Sequence, residues 1–586
     1  MELKTFFDNF ELLADAPNGV PKLREMILQL AVQGKLVPQD PKDEPASVLL
    51  EKIKAEKERL VKKGKIRKVE RLPSIKSNEI PYELPDNWEW VRIREICHDL
   101  GQKKPDSGFT YIDVSSINNE KGLISDNVQV LDHSNAPSRA RKIVKLGTVI
   151  YSTVRPYLLN IAILNRNYDP PPIASTAFAV LHPFEGIYNR FLYYYLRSGP
   201  FIEYVETAMT GMAYPAINDS RMNMGLVPLP PVDEQKRIIT KVDELMALCD
   251  ELESRKQKAS INCIRLNDAS LHGLFSATEV NKFNRSWQRI CDSFDILYSK
   301  PENVVKLRQA ILQLAVQGKL VPQDPNDEPA SVLLDKIAVE KERLVKEGKI
   351  RKSKPLPAIL NDKTPHELPD GWDWVKLEQL RKVIEYGTSS KSTHKDSGIP
   401  VLRMNNIQNG TVTYSSLKYV PKNIKDLPGL YLKKNDLLFN RTNSYELVGK
   451  TGLFKEDDNM FTFASYLIRV ALFQKYSSAE YINIVLNSPF FRTTQIEPEI
   501  TQQCGQANFN GTKLANSLIP MPPLSEQKRI VTKVDELMTI CDKLETGLLQ
   551  SQNVCNHMME AVVAEINIEK IKGPYVRGTF NFEEPH

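Results

Sequence analysis

The fifteen residues "ILQLAVQGKLVPQDP" stand at Ile27–Pro41 and again, letter for letter, at Ile311–Pro325, 284 positions later. A core needs the right sizes and pattern rather than particular letters, so packing alone would let two such copies drift. Here the polar letters are duplicated too. That points to one external surface that both copies must fit, with helix-to-helix packing inside the chain as the competing explanation.

The self-similarity is longer than this stretch, and internal repeats of this kind constrain a fold before anything else. Lys22–Lys68 aligns without a gap to Lys306–Lys352, with 40 identities in 47 positions. At the same offset "FDNFELL" (Phe7–Leu13) faces "CDSFDIL" (Cys291–Leu297), and "ELPDNWEWV" (Glu83–Val91) faces "ELPDGWDWV" (Glu367–Val375). A second block, "EQKRIITKVDELMALCDELE" (Glu234–Glu253), returns as "EQKRIVTKVDELMTICDKLE" (Glu526–Glu545) at an offset of 292. Between the blocks similarity almost vanishes. Only a skeleton remains, such as "SGFTYIDVSSINN" (Ser107–Asn119) against "SGIPVLRMNNIQN" (Ser397–Asn409), and "GTVIYSTVRPY" (Gly147–Tyr157) against "NDLLFNRTNSY" (Asn435–Tyr445). The order is therefore constant, variable, constant, variable, constant.

Periodicity assigns the elements. Ile238, Val242, Leu245, Cys249 and Leu252 step by fours and threes, the seam of a coiled coil. Ile530, Val534, Leu537, Cys541 and Leu544 repeat it, continuing through Leu548, Cys555, Met558 and Val562. Cys249 and Cys541 are expected as seam residues rather than redox groups. A helix from Asp233 to Ala277 would be about 67 Å long at ~1.5 Å per residue. Asp43–Lys65 reads as another helix, with Pro45 near its start, Leu49, Ile53 and Leu60 on one face, and Gly64 as its stop. Its dense Lys and Glu make a solvated face. The variable regions carry short β-rich runs ("TVIYSTV", "DLLFNRT") broken by Gly, Pro and Asn, followed by helical stretches, as in compact α+β domains.

The expected division is an N-terminal helical region (1–87), a first variable domain (88–231), a central helical region (232–371), a second variable domain (372–523) and a C-terminal helix and tail (524–586). The middle of the chain holds the second block and then the first; the ends hold their counterparts. If the ends meet, they rebuild the central helical unit. The fold class expected is α+β, with two similar globular domains separated by long antiparallel coiled-coil-like helices and an internal pseudo-two-fold.

Catalytic motifs are not found. "QGKL" around Gly34 and Gly318 lacks the first glycine and the Ser/Thr of a phosphate-binding loop. "PDNWEW" and "PDGWDWVK" suggest a first strand rather than a nuclease's acidic pair, since Arg92 stands where the second copy has Lys376. "DPPP" (Asp169–Pro172) is followed by Ile173 and reads as a proline-rich loop. The eight histidines show no metal or triad spacing. Seven cysteines (Cys97, Cys249, Cys263, Cys291, Cys504, Cys541, Cys555) are scattered and odd in number, which argues against a disulfide framework or a zinc site. The first residues carry acids and no apolar core, so neither a signal peptide nor a membrane span is expected and the location expected is cytoplasmic. A net charge of +5 permits nucleic-acid binding without demanding it.

Duplicated helical blocks, two divergent domains closing in "LPPVDEQKRI" and "MPPLSEQKRI", and the lack of a catalytic motif resemble a Type I restriction–modification specificity subunit over essentially the whole chain. The P-P-x-x-E-Q-K-R-I junction (Pro230–Ile238, Pro522–Ile530) is its specific signal. The resemblance implies a non-catalytic DNA-recognition subunit whose two variable domains each read one half of a split, asymmetric target on double-stranded DNA. It implies two copies of a methyltransferase subunit on the constant regions, which bind S-adenosylmethionine, and restriction/translocase subunits, which use ATP and Mg; no cofactor is expected in this chain. The partner's two-fold repetition would then explain the repeat. The docking candidates are Gln29, Gln33, Lys35 and Gln39 with Gln313, Gln317, Lys319 and Gln323.

Bases are read by Arg or Lys against guanine and by Asn or Gln against adenine, with other basic groups on phosphate. In the first domain the DNA candidates are Arg139, Arg141 and Lys142 ("SRARK"), then Arg155 and Tyr157 ("STVRPY"). In the second they are Arg403, Asn405 and Asn406 ("LRMNN"), Arg441, Asn443 and Tyr445 ("NRTNSY"), and Gln506 and Asn508 ("GQANFN"). Rigid helices would set a constant gap, with half-sites near one turn of DNA apart, ~34–36 Å. Two other readings remain open here: a DNA-binding adaptor of another methyltransferase-based defence system, and a protein scaffold that does not touch DNA.

Overall fold

The computed structural model describes residues 3–66, 72–211, 215–277, 279–352, 359, 364–394, 397–503 and 506–566. The chain forms two compact units: Met1–Ala259 with Ser551–His586, and Ser260–Gln550. Each of the two long helices, Val232–Phe275 and Leu524–Ile566, starts in one unit and ends in the other. The C-terminal segment thus joins the N-terminal one: Met559 is fully buried in the first unit's core, with Cys555 and Val562 packed against it.

In the first unit the helix Gly19–Val32 buries Val20, Leu23, Met26, Ile27, Leu30 and Ala31, an apolar face at the three-and-four spacing of an amphipathic helix. It stops at Gly34, whose φ of +69° favours glycine, and where a Cβ would come within 2.5 Å of Pro85. The helix Ala46–Lys62 follows, burying Leu49 and Ile53 and ending before Gly64 at φ +65°. The variable domain opens with strand Glu89–Arg92, antiparallel to its last strand Leu226–Leu229 with Trp90 opposite Pro228. First and last strands of the domain are therefore zipped together beside the helices. Between them lie two four-stranded sheets. Strand Ala140–Ile143 sits at the edge of one, and Val149–Ser152 is interior to the other.

The second unit repeats the plan. Helices Pro301–Val316 and Ala330–Lys346 precede strand Asp373–Lys376, which pairs with Leu518–Met521. Gly318, at φ +65°, again meets a proline, Pro369, at 2.5 Å. Six-stranded and three-stranded sheets fill the domain, with Leu437–Asn440 interior to the largest.

The seam is buried at Ile238, Val242, Leu245 and Cys249, and at Ile530, Val534 and Cys541. Burial pushes the Cys249 thiol up to about 11, which suits an inert packing residue. Six cysteines are free thiols among the described residues, and Cys504 lies outside them. The expected seam slips near its end: Met558 is 57% exposed and Met559 is buried. Either methionine keeps a three-and-four spacing from Cys555 to Val562, so the sequence alone could not choose between neighbours.

A matched junction fixes each variable domain to its helices. The Trp88 indole N–H donates to Glu234 at 2.9 Å, and the Gln39 amide donates to the other oxygen at 2.6 Å. Trp372 and Gln323 do the same to Glu526, at 2.9 and 3.2 Å. Gln235 accepts from the Tyr188 N–H and donates to the Pro230 carbonyl; Gln527 accepts from the Ser478 N–H and donates to the Pro522 carbonyl. Arg237 pairs with Asp43 at 2.6 Å, and Arg529 with Asp327 at 2.8 Å. Further along, Arg24 holds Asp250 and Glu253 while Arg308 holds Asp542 and Glu545. The Glu, Gln and Arg of E-Q-K-R therefore have internal work in both copies.

Candidate nucleic-acid interface

In the first domain strand Val149–Ser152 runs into the loop "TVRPYLL". Arg155 takes φ +48° and Leu159 φ +52°, both left-handed and neither glycine. Such backbone persists only where surrounding bonds enforce it. They do: the Arg155 N–H donates to the Pro215 carbonyl, the Ile217 N–H to the Thr153 carbonyl, and Val154 bridges Ala216. The Arg197 guanidinium caps the Leu159 carbonyl at 3.3 Å and the Asn119 carbonyl at 3.1 Å, and Asn119 donates to the Leu158 carbonyl. The braced loop presents Val154, Arg155, Tyr157 and Leu158 to solvent.

Arg139, also exposed, arrives at the same place from another sheet. Its carbonyl accepts the Thr176 N–H, while the Thr153 N–H donates to the Ala177 carbonyl. One turn, Thr176–Ala177, therefore gathers both candidate segments.

The second domain repeats the convergence. The Ala464 N–H donates to the Leu402 carbonyl, beside Arg403, and the Arg441 N–H donates to the Tyr466 carbonyl. Thr442–Asn443 pairs with Gln506–Asn508, which pairs onward with Thr501–Gln503. Arg441 lies over the Tyr386 ring at 4.9 Å, and the Tyr386 hydroxyl accepts the Gly511 N–H at the start of helix Gly511–Asn516. Arg492 stacks on Tyr445 at 5.0 Å and caps the Tyr445 and Val448 carbonyls, as Arg197 does in the first domain. Asn405, Tyr445 and Gln506 are exposed; Asn443 and Asn508 are half-buried.

Two candidates are corrected. Lys142 is buried, and its Nζ is held by Asp219 at 2.5 Å, so its charge is spent inside the domain. Asn406 is fully buried; it accepts the Arg403 N–H and donates to the Thr413 and Ser415 carbonyls, bracing a turn. Arg141 and Arg403 are half-buried with guanidinium bonds to the Ala140 and Ser416 carbonyls. Two features escaped the sequence reading. One is Ala216, which bridges Val154 and Thr210 as Asn508 pairs with Thr442 and Thr501 in the second domain. Its signal was the shared helix cap just after it, Asn218 and Asn510, each accepting the N–H three residues on. The other is the pair of braces, Arg197 and Arg492, which have no sequence signature.

The eight docking candidates range from buried to exposed, and most have contacts within the chain. Gln33 is buried, the Gln313 amide oxygen accepts the Phe490 N–H, and Lys319 donates to the Phe275 and Ala277 carbonyls. Gln39 and Gln323 belong to the junction above, and each also donates to a glycine carbonyl, of Gly34 or Gly318. The Gln29 amide oxygen lies against Gly199, Gln317 has its amide oxygen buried, and Lys35 is half-buried with a partner of its own. These contacts within the chain are the ones the packing alternative expects, and the same fastening of Gln39 and Gln323 recurs in both units.

Among the described residues, no group of three or more His, Cys, Asp or Glu side chains is arranged to hold a metal ion, and no helix is long and apolar enough to cross a membrane.

The family described as the Type I restriction modification DNA specificity domain matches residues 85–262 and again 369–551. The Type I restriction enzyme EcoAI specificity subunit of Escherichia coli is 36% identical over 568 residues, 94% of each chain. The EcoEI specificity subunit of the same species is 31% identical over 555 residues, 93% of each. A crystal structure of the HsdS subunit from Thermoanaerobacter tengcongensis aligns with 83% of this chain and 98% of that one at 22% identity, TM-score 0.44.

Proposed function

The chain belongs to the Type I restriction modification DNA specificity family, and on that premise we propose that each variable domain reads one half of a split DNA target through its two converging segments. As a specificity subunit the protein is a non-catalytic DNA-recognition component that works in a complex with other restriction–modification subunits. The observation that carries the two-headed reading is the repeated convergence on Thr176–Ala177 and on Ala464–Tyr466, with an arginine-braced loop beside each. Arg139, Arg155 and Tyr157 form the first reading set; Asn405, Arg441, Asn443, Tyr445, Gln506 and Asn508 form the second.

Docking of two identical methyltransferase subunits is supported by apolar residues exposed twice at equivalent positions. Leu12 and Ile296 are 64% and 65% exposed; Val48 and Val332 are 39% and 37%. Equal patches suit equal partners. In this reading S-adenosylmethionine belongs to the methyltransferase and ATP with Mg to the restriction/translocase partner. The assembly acts in the cytoplasm.

The test is co-expression with the neighbouring methyltransferase in a host lacking adenine methylation, followed by genome-wide mapping of modified adenines. The expected result is a split motif with a constant gap. A gapless motif would refute two reading heads, and an assembled complex without methylation would favour the scaffold reading.

A further inference from the structure

At one buried place in the helical bundle the two units differ in polarity. Residues 260–274 of the helix Val232–Phe275 and residues 552–566 of the C-terminal helix occupy equivalent positions at the 292-residue offset. Cys263 matches Cys555, but Asn267 matches Met559. On the helices they pack against, at the 284-residue offset, Tyr298 matches Ala14 and Asn303 matches Gly19.

In the second unit this patch is polar and sealed. Asn267 and Asn303 are both 0% exposed and Tyr298 is 1% exposed. Asn303 Nδ2 donates to the Leu297 carbonyl at 2.6 Å and contacts Cys263 Sγ at 3.5 Å, one turn below Asn267 on the same helix. Both amide atoms of Asn267, the Asn303 Oδ1 and the Tyr298 hydroxyl are buried without a protein partner. In the first unit the same patch is apolar. Met559 is 0% exposed in the first unit's apolar core, which also holds Ala14, and Gly19 is buried. Gly19 cannot be exchanged: a Cβ there would stand 2.1 Å from the Leu13 carbonyl oxygen.

We infer that this mismatch is an assortment code that keeps segment 260–275 out of the first unit. Four buried polar atoms cost stability, and a polar residue at a helix seam is the device by which pairing is specified at that cost. If segment 260–275 entered the first unit, Asn267 would take the place of Met559 in an apolar core with nothing to bond. The hazard is real because the blocks are near copies. During synthesis at ~5–20 residues per second the C-terminal segment emerges ~15–60 s after its look-alike, and the N-terminal helices are already made.

The test is refolding of the full chain from urea, with monomer yield read by size-exclusion chromatography and light scattering. Docking of the C-terminal segment is read by Glu-C cleavage at Glu560. For Asn267→Met we expect monomer yield to fall at least threefold, with cleavage at Glu560 faster in the misassembled fraction than in the native monomer, while the purified monomer melts at or above the wild-type temperature. Exchanging the code, Asn267→Met with Met559→Asn, should lower the yield further. Wild-type refolding by Asn267→Met overturns the inference. So does a parallel loss of yield and melting temperature, which would make Asn267 simply a stabilising residue. A double variant that refolds better than Asn267→Met alone overturns it as well.

Discussion

At the scale of single residues, burial separates side chains that could meet DNA from those that serve the fold. Arg155 is exposed on a braced loop, whereas Asn406 is fully buried with three bonds to backbone. Arg155→Ala should weaken or relax recognition of one half-site, leaving the melting temperature within a degree or two. Asn406→Ala should cost ~1–3 kcal/mol of stability, because it orphans buried groups. Methylation mapping and urea denaturation of both variants check this. A second residue-scale effect is titration. Burial, then Lys145 and His98, push His182 down to about 4. Its folded value lies below the unfolded ~6.5, so the folded state binds fewer protons in that interval. His182 therefore favours folding above pH 6.5, and the contribution is lost as pH falls toward 4. Thermal melts should show the first unit weakening between pH 6.5 and 4, and His182→Gln should flatten that slope.

At the scale of elements, the junction between strand, loop and long helix is the recurring unit. Glu234 accepts from Trp88 and Gln39 in a buried setting that holds its carboxyl above the usual range, burial outweighing the two hydrogen bonds. Glu234→Ala should cost ~1–3 kcal/mol in the first unit by stranding the indole N–H, and Glu526→Ala should do the same in the second. Two separated transitions in urea, one shifted per variant, would verify it. The long helices carry a further expectation. Four residues inserted after Glu253 should add ~6 Å of helix and lengthen the gap in the methylated motif by one or two base pairs while both half-sites stay the same. Altered half-sites would refute the helix as a spacer.

At the scale of the whole molecule, two reading heads on one chain make binding depend on salt. With a net charge of only +5, few phosphates can be neutralised outside the reading loops. Affinity for the target should still fall steeply between 50 and 200 mM salt, with a log–log slope proportional to the number of phosphates contacted. A flat salt dependence in a filter or fluorescence titration would leave the scaffold reading standing.

The chain's letters alone determined the block order, the two helices with their seams, the first strands at Glu89 and Asp373, and the equivalence of the two variable domains. These rest on periodicity and on repetition, which are properties of the string. Only the tertiary structure showed what Gln39 and Gln323 bond within the chain. A polar side chain seven residues beyond a helix reads the same whether it faces a partner or the carboxylate of Glu234, almost two hundred residues away. The choice of Met559 over Met558, the inward turn of Lys142 and Asn406, and the bracing by Arg197 and Arg492 were hidden for the same reason. Each depends on what a distant segment places opposite the side chain, and a local pattern cannot encode that.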